Sequence, residues 1–217
     1  GNNAVLEFKE FLKKITDERR KNPGDPDTDV LTRMIIAEES DLSETELLQN
    51  CIFILNAGHE TTTNLIGNAL WALCTYPMVR KTLIKNPAIL NSAIDEFLRF
   101  LSPNQFGNRE TAFEVSLSGK KIPKNTNLHL CIGAANRDPL QFKDPEELIV
   151  DRTPNRHLAF AGGAHHCVGF SLAKMEARIA IGMFLRNFPN YNLISKPRWS
   201  RRIRFRGLTH LHARLER

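Results

Sequence analysis

Val5, Leu6, Phe8, Phe11, Leu12 and Ile15 recur at the three-and-four spacing that lines one helix face, and the run ends in Arg19, Arg20 and Lys21 before Gly24-Asp25-Pro26. This predicts a helix with a basic last turn followed by a stop. A short helix is expected from about Asp29 to Ala37. Ser43 and Glu46 then have the S-x-x-E spacing of a capping box, ahead of a run that continues to the neighbourhood of Pro77. At 1.5 Å per residue that run predicts a rod of roughly 45 to 50 Å. Its second half, Leu65 to Cys74, is apolar on nearly every side, as in a helix surrounded by packing partners. Two shorter helices are predicted from about Met78 to Lys85 and, behind Asn86-Pro87, from about Ala88 to Leu101.

Beyond Pro103 the period changes to two. Phe113, Val115 and Leu117, a Ser118-Gly119-Lys120 turn, and then Leu128, Leu130 and Ile132 predict strands of a small sheet. From Ala134 to Ala164 no period is sustained, and the richness in Asn, Asp, Pro and Gly predicts a long ordered loop. A helix from about Val168 to Asn187 stops before Pro189, and alternation around Ile203 and Phe205 predicts a closing β-ribbon. No internal repeat or domain boundary is visible, so the expected fold class is mainly α with a small β-sheet.

Composition narrows the picture only a little. The 217 residues are 41% apolar and 25% charged, an ordinary globular balance. A net charge of +6 suits nucleic acid, an anionic membrane or an acidic partner alike. The basic tail Lys196, Arg198, Arg201, Arg202, Arg204, Arg206 alternates with Ile203 and Phe205, which reads as a strand with a wet face rather than as a nucleic-acid surface. Four widely separated cysteines, Cys51, Cys74, Cys131 and Cys167, give no disulfide framework or zinc ribbon, and a reducing cytoplasm is expected. The apolar stretch from Leu47 to Cys74 is broken by Asn56, His59, Glu60 and threonines, so no membrane span is expected. The chain starts at Gly1 without a methionine, which suggests a trimmed or incomplete chain.

The sharpest chemical signal is Phe160-Ala161-Gly162-Gly163-Ala164-His165-His166-Cys167-Val168-Gly169, where the long loop runs into a helix. Backbone N–H groups and the positive end of a helix dipole favour a thiolate there, and glycines let a flat macrocycle approach the backbone. A lone cysteine in that place is ordinarily a small buried hydrophobe. Zinc on His165, His166 and Cys167 would require consecutive residues to converge on one tetrahedral ion. Glu60 and Thr61 sit mid-helix beside Gly58, where an acid and a hydroxyl are costly to bury and a helical bulge can form. Glu96 and Arg99 share a helix face at i, i+3, and by spacing alone are an ordinary surface ion pair.

Together these segments resemble the cytochrome P450 family. Phe160, Gly163, Cys167 and Gly169 match its FxxGxxxCxG haem loop, with Ala161 standing where most members carry glycine. Ala57-Gly58-His59-Glu60-Thr61-Thr62 is similar to the family's oxygen-activating stretch, Glu96-Phe97-Leu98-Arg99 to its ExxR motif, and Ala135-Asn136-Arg137-Asp138-Pro139 with Arg152 to its meander. The style is that of soluble bacterial members, and the resemblance covers essentially the whole chain.

The resemblance implies the C-terminal, haem-binding portion of the P450 fold over residues 1–217, a single domain whose N-terminal half is missing from this sequence. It implies haem b as cofactor, with Cys167 as the iron ligand, Phe160, Gly163 and Gly169 around it, and Arg109 and His165 on the propionates. It implies that Thr61 steadies dioxygen and Glu60 helps deliver protons, and that Glu96, Arg99 and Arg152 form a buried structural network. Phe53, Asn56, Ala57, Gln105 and Phe205 match positions that face substrate. His157 is a candidate supporting group, while His129, His166, His210 and His212 are expected to be ordinary surface residues. The implied reaction is insertion of one oxygen atom from dioxygen into a small apolar organic substrate, with electrons from a separate ferredoxin- or flavodoxin-type carrier. The alternative is a non-catalytic haem-binding or interaction remnant of such an enzyme.

Overall fold

The computed structural model describes residues 2–216, which form two compact units, one ending at His59 and one beginning at Glu60. In the first unit, helices α1 (Asn2–Lys21) and α2 (Val30–Asp41) pack together ahead of α3 (Glu44–Thr75), in which the unit boundary falls. Leu12, Ile35 and Leu47 are buried there with Thr16 and Thr32. The stop after α1 is built by side chains: Thr32 Oγ1 accepts from Gly24 N at 2.9 Å and donates to Asp29 Oδ2 at 2.5 Å. The capping box is present, with Ser43 N donating to Glu46 Oε2 at 2.8 Å and Glu46 N to Ser43 Oγ at 3.3 Å. Helix α3 is α-helical over all 32 residues, so Gly58 introduces no bulge.

The second unit is built on α5 (Leu90–Leu101), in which Ala93, Ile94 and every residue from Glu96 to Leu101 are buried. It packs on α7 (Phe170–Asn187) through a close approach at Gly182, where a β-carbon would lie 3.1 Å from Leu90 Cδ2. Around them lie Leu65, Ala69, Ala72 and Leu73 of α3, Leu83 of α4 (Pro77–Lys85), and Tyr191, whose hydroxyl donates to Leu70 O at 2.6 Å. The helix spared a polar outer face by its sequence thus finds the expected neighbours. A 3-10 turn, Pro87–Ile89, precedes α5, so the predicted helix from Ala88 starts as a tighter turn.

Among the described residues, the β-structure is four separate two-stranded antiparallel sheets rather than one small sheet. β1 (Phe106–Glu110) pairs with β4 (Asn127–Cys131), β2 (Val115–Leu117) with β3 (Lys120–Ile122), β5 (Asn192–Leu193) with β8 (Ala213–Arg214), and β6 (Arg198–Trp199) with β7 (Leu208–His210). Ser118 and Gly119, with φ of 48° and 75°, make the turn read from the sequence. Phe113 lies outside any strand, and Ile132 opens a one-turn helix, α6 (Ile132–Ala135). The stretch from Asn136 to Gly162 is the long ordered loop. The alternating segment around Ile203 and Phe205 is not a strand: it carries one isolated bridge, Asn104 to Phe205, and Ile203 is exposed. Among the described residues, no helix is long and apolar enough to cross a membrane.

Candidate functional site

The centre of the second unit is a buried charge network. Arg99 and Glu96 are fully buried and meet through two hydrogen bonds, Nε to Oε2 and Nη2 to Oε1, each 2.8 Å. Arg152 adds its Nε at 3.1 Å from Glu96 Oε2, so the surface-pair reading of the i, i+3 spacing is wrong and the three-residue network is real. The remaining valences are met by the loop. Arg99 donates to the carbonyls of Asn136, Pro145 and Glu147, each at 2.9 Å, and Ile149 N and Asn155 Nδ2 donate to Glu96 at 2.8 and 3.1 Å. A buried carboxylate with two cationic partners and full hydrogen bonding tolerates its desolvation, whereas removing one partner from such a set costs about 3–5 kcal/mol. The network therefore ties a loop without regular structure to the best-buried helix.

Asn136 carries this anchorage to the cysteine loop. Its buried amide donates to Ser102 Oγ at 2.9 Å and its oxygen accepts from Leu158 N at 2.7 Å. Ser102 caps α5 in a left-handed conformation, φ 39°, and its hydroxyl donates to the Arg99 carbonyl at 3.0 Å. One residue before Leu158, the His157 ring lies 3.3 Å from Asp95 Oδ1, and Lys174 of α7 reaches Asp95 Oδ2 at 2.8 Å. Burial pushes Asp95 upward, but the hydrogen bonds from His157 and Lys174 outweigh it and hold the carboxyl below its ordinary range. Both ends of the loop are thus pinned to α5, one at its cap Ser102 and one at Asp95, which Lys174 of α7 also holds.

Between those pins the motif folds on itself. Ala161 N donates to Leu158 O at 2.8 Å, His166 N to Gly163 O at 3.0 Å, and Cys167 N to Phe160 O at 2.9 Å. The Phe160 carbonyl therefore holds the backbone N–H of Cys167. Gly163 has φ 66° and Ala161 φ 59°, the left-handed region that glycine adopts without cost. His165 is exposed in a 3-10 turn, Gly163–His165, and Gly169 caps α7, with Cys167 Sγ 4.0 Å from where its β-carbon would stand. His166 is exposed, as a surface residue would be, with its ring edge-on to Phe170 at 4.8 Å.

These features fit a haem held through sulfur. The Cys167 thiol is exposed, and a β-carbon on Gly162 or Gly163 would meet nothing within 4 Å, so the loop backbone is open to a flat group. Apolar side chains surround it unburied, Val168 at 95% and Leu158 at 45% exposure, and an apolar macrocycle would cover them.

Other candidates are more dispersed. Arg109, on β1, donates to the Asn108 carbonyl at 2.7 Å. Glu60 and Thr61 are half-buried on α3, and Glu60 pairs with Arg202 at 2.5 Å. Gln105 spends its amide on the end of α5, donating to Ser102 O at 2.5 Å and Leu101 O at 3.2 Å. Phe205 is half-buried between the guanidinium groups of Arg202 and Arg204. Phe53, Asn56 and Ala57 are exposed on α3 in the first unit. Sequence reasoning assigned no role to Asn136, Asn155, Asp95 or Lys174. Asn136 lies inside a quoted motif and was the one within reach; the others carry no local pattern.

The sequence profile of the cytochrome P450 family matches residues 1–191. Cytochrome P450 CYP107DY1 of Priestia megaterium is 41% identical over 192 residues, 88% of this chain and 46% of that protein. The 6-deoxyerythronolide B hydroxylase of Saccharopolyspora erythraea is 35% identical over 219 residues, 98% of this chain and 54% of that protein. The crystal structure of P450BioI with a hexadec-9Z-enoic acid ligated acyl carrier protein superposes with a TM-score of 0.92 at 34% identity, over 97% of this chain and 54% of that one. The chain spans about half the length of the curated relatives it matches. The family implies a haem cofactor. By motif, fold and profile, the chain belongs to the cytochrome P450 family.

Proposed function

We propose that residues 1–217 are the C-terminal, haem-binding part of a single P450 domain, in a cytoplasmic monooxygenase. It inserts one oxygen atom of dioxygen into a small apolar organic substrate and releases the other as water. The observation that carries this reading is the exposed Cys167 thiol on a glycine-open loop pinned by the Glu96, Arg99 and Arg152 network. Haem b, held through Cys167, would supply the redox centre at which dioxygen is reduced. Phe160 clamps the cysteine backbone, Gly163 and Gly169 keep the loop open, and Arg109 and His165 serve the propionate carboxylates.

On α3, Thr61 orients dioxygen through its hydroxyl and Glu60 passes protons. The Glu60 side chain is 35% exposed, so it can exchange protons with solvent between turnovers. Phe53, Asn56, Ala57, Gln105 and Phe205 contribute to substrate contact. The long acyl chain in the P450BioI complex supports an apolar substrate. Electrons come from a separate ferredoxin- or flavodoxin-type carrier.

The test is the reduced carbon monoxide difference spectrum of the complete, haem-loaded protein. A red-shifted Soret band is expected, because a thiolate donates electron density to the iron, and Cys167→Ala should abolish it. A band that survives the substitution would remove Cys167 from the site.

A further inference from the structure

The arginines near the C-terminus carry chemistry that the proposed reaction leaves unused. Arg202, Arg204 and Arg206 are exposed and held on aromatic rings, their guanidinium carbons 5.0 and 5.3 Å from the Phe205 centroid and 4.8 Å from that of Trp199. Among the described residues, neither Arg204 nor Arg206 pairs with a carboxylate. Arg202 does, and its carboxylate is Glu60. Arg202 and Arg206 also line a cleft of about 240 Å³ with Gln105, Trp199, Ser200 and Ile203. Two guanidinium groups, a hydroxyl and the carboxamide of Gln105 make its polar part, and an indole and an isoleucine its apolar part.

We propose that this cleft takes the carboxylate of an elongated apolar acid, with Arg202 as the specificity-determining contact for which substrate carboxylate and Glu60 compete. The inference rests on the monooxygenase reading of Glu60. A planar guanidinium matches a carboxylate in two parallel hydrogen bonds. Glu60 shows that Arg202 accepts this group, which favours a carboxylate over a bulkier anion. The internal pair is readily exchanged, because its side chains are 59% and 35% exposed and such pairs are weak. A substrate acid gains Arg206, Ser200 and apolar contact in addition. Binding then releases Glu60 from Arg202, so seating the substrate frees the proton-passing acid from its ion pair.

The competition gives a test with a sign. Dodecanoate and dodecanol are titrated calorimetrically into the complete, haem-loaded protein near neutral pH. Dodecanoate should bind at least about tenfold more tightly, the worth of one charge-assisted hydrogen bond. Arg202→Gln should bring it down to the affinity of dodecanol. Glu60→Gln should tighten dodecanoate several-fold and leave dodecanol unchanged, because the internal competitor no longer occupies Arg202. Haem content and the carbon monoxide band are followed in each variant. Absence of the thiolate band in the parent brings down the haem reading and this inference with it. An intact band with equal affinities for acid and alcohol, or with no gain in Glu60→Gln, overturns the carboxylate site alone.

Discussion

Ala161 shows how a single backbone angle matters in the cysteine loop. Its φ of 59° is left-handed, and the β-carbon that alanine brings there crowds the following carbonyl, while the family pattern has glycine at this place. Ala161→Gly should therefore raise stability by roughly 0.5–1 kcal/mol, the relief of the left-handed strain less the extra freedom of glycine in the unfolded chain. Thermal unfolding of the haem-loaded protein measures it, and a lower melting temperature would show that the turn does not need glycine. The departure from the family pattern was legible in the sequence; the angle that gives it an energy was not. The same holds for Glu96 and Arg99. Their spacing announced a pair, but its burial depends on Asn136, Pro145 and Glu147 arriving from a loop some 40 residues further on, about which helix periodicity says nothing.

The helices were legible because each carries its own period, its cap or its stop, as at Ser43 and Glu46. The segment from Arg202 to Arg206 was misread because alternation records which side chains are apolar, not which backbone is opposite. There the partner is Pro103 to Gln105: Arg206 N donates to Pro103 O at 2.9 Å and Gln105 N to Arg204 O at 2.8 Å. Proline has no N–H to return, so the ladder ends at once. Between α5, the loop and α7, the tie is electrostatic and pH-dependent. Asp95 is held below its ordinary range by His157 and Lys174 against the opposing effect of burial. A carboxyl whose folded pKa is depressed contributes stability that is complete above its unfolded value, near 4, and is lost as pH falls through the folded value. The melting temperature of the parent should thus fall more steeply than that of Asp95→Asn as pH is lowered from about 5 to about 3. Parallel slopes would show that Asp95 does not secure the loop.

For the molecule as a whole, the informative surface is the face of α7 turned away from α5. Ala177, Ile181 and Leu185 are buried on one side of this helix, while Leu172, Met175, Ile179 and Met183, spaced three, four and four apart, are between 46% and 54% exposed on another. Phe53, Ile54 and Leu55 on α3 are exposed as well. The sequence marked all of these as apolar helix positions but could not say which face meets a neighbour, since a helix apolar on two sides has the same period whichever side is covered. An apolar helix face of this kind is ordinarily covered in a stable protein. In a chain that spans about half the length of its curated relatives, the proposal of one domain extending beyond these residues accounts for it. The 217-residue chain produced by itself should then bind a hydrophobic fluorescent dye strongly and self-associate, and the complete protein should do neither. Sedimentation and dye fluorescence on both proteins, at equal concentration, provide the comparison. An isolated chain that stays monomeric, leaves the dye dark and unfolds in one cooperative transition would mean that α7 needs no cover, and the single-domain proposal would fall.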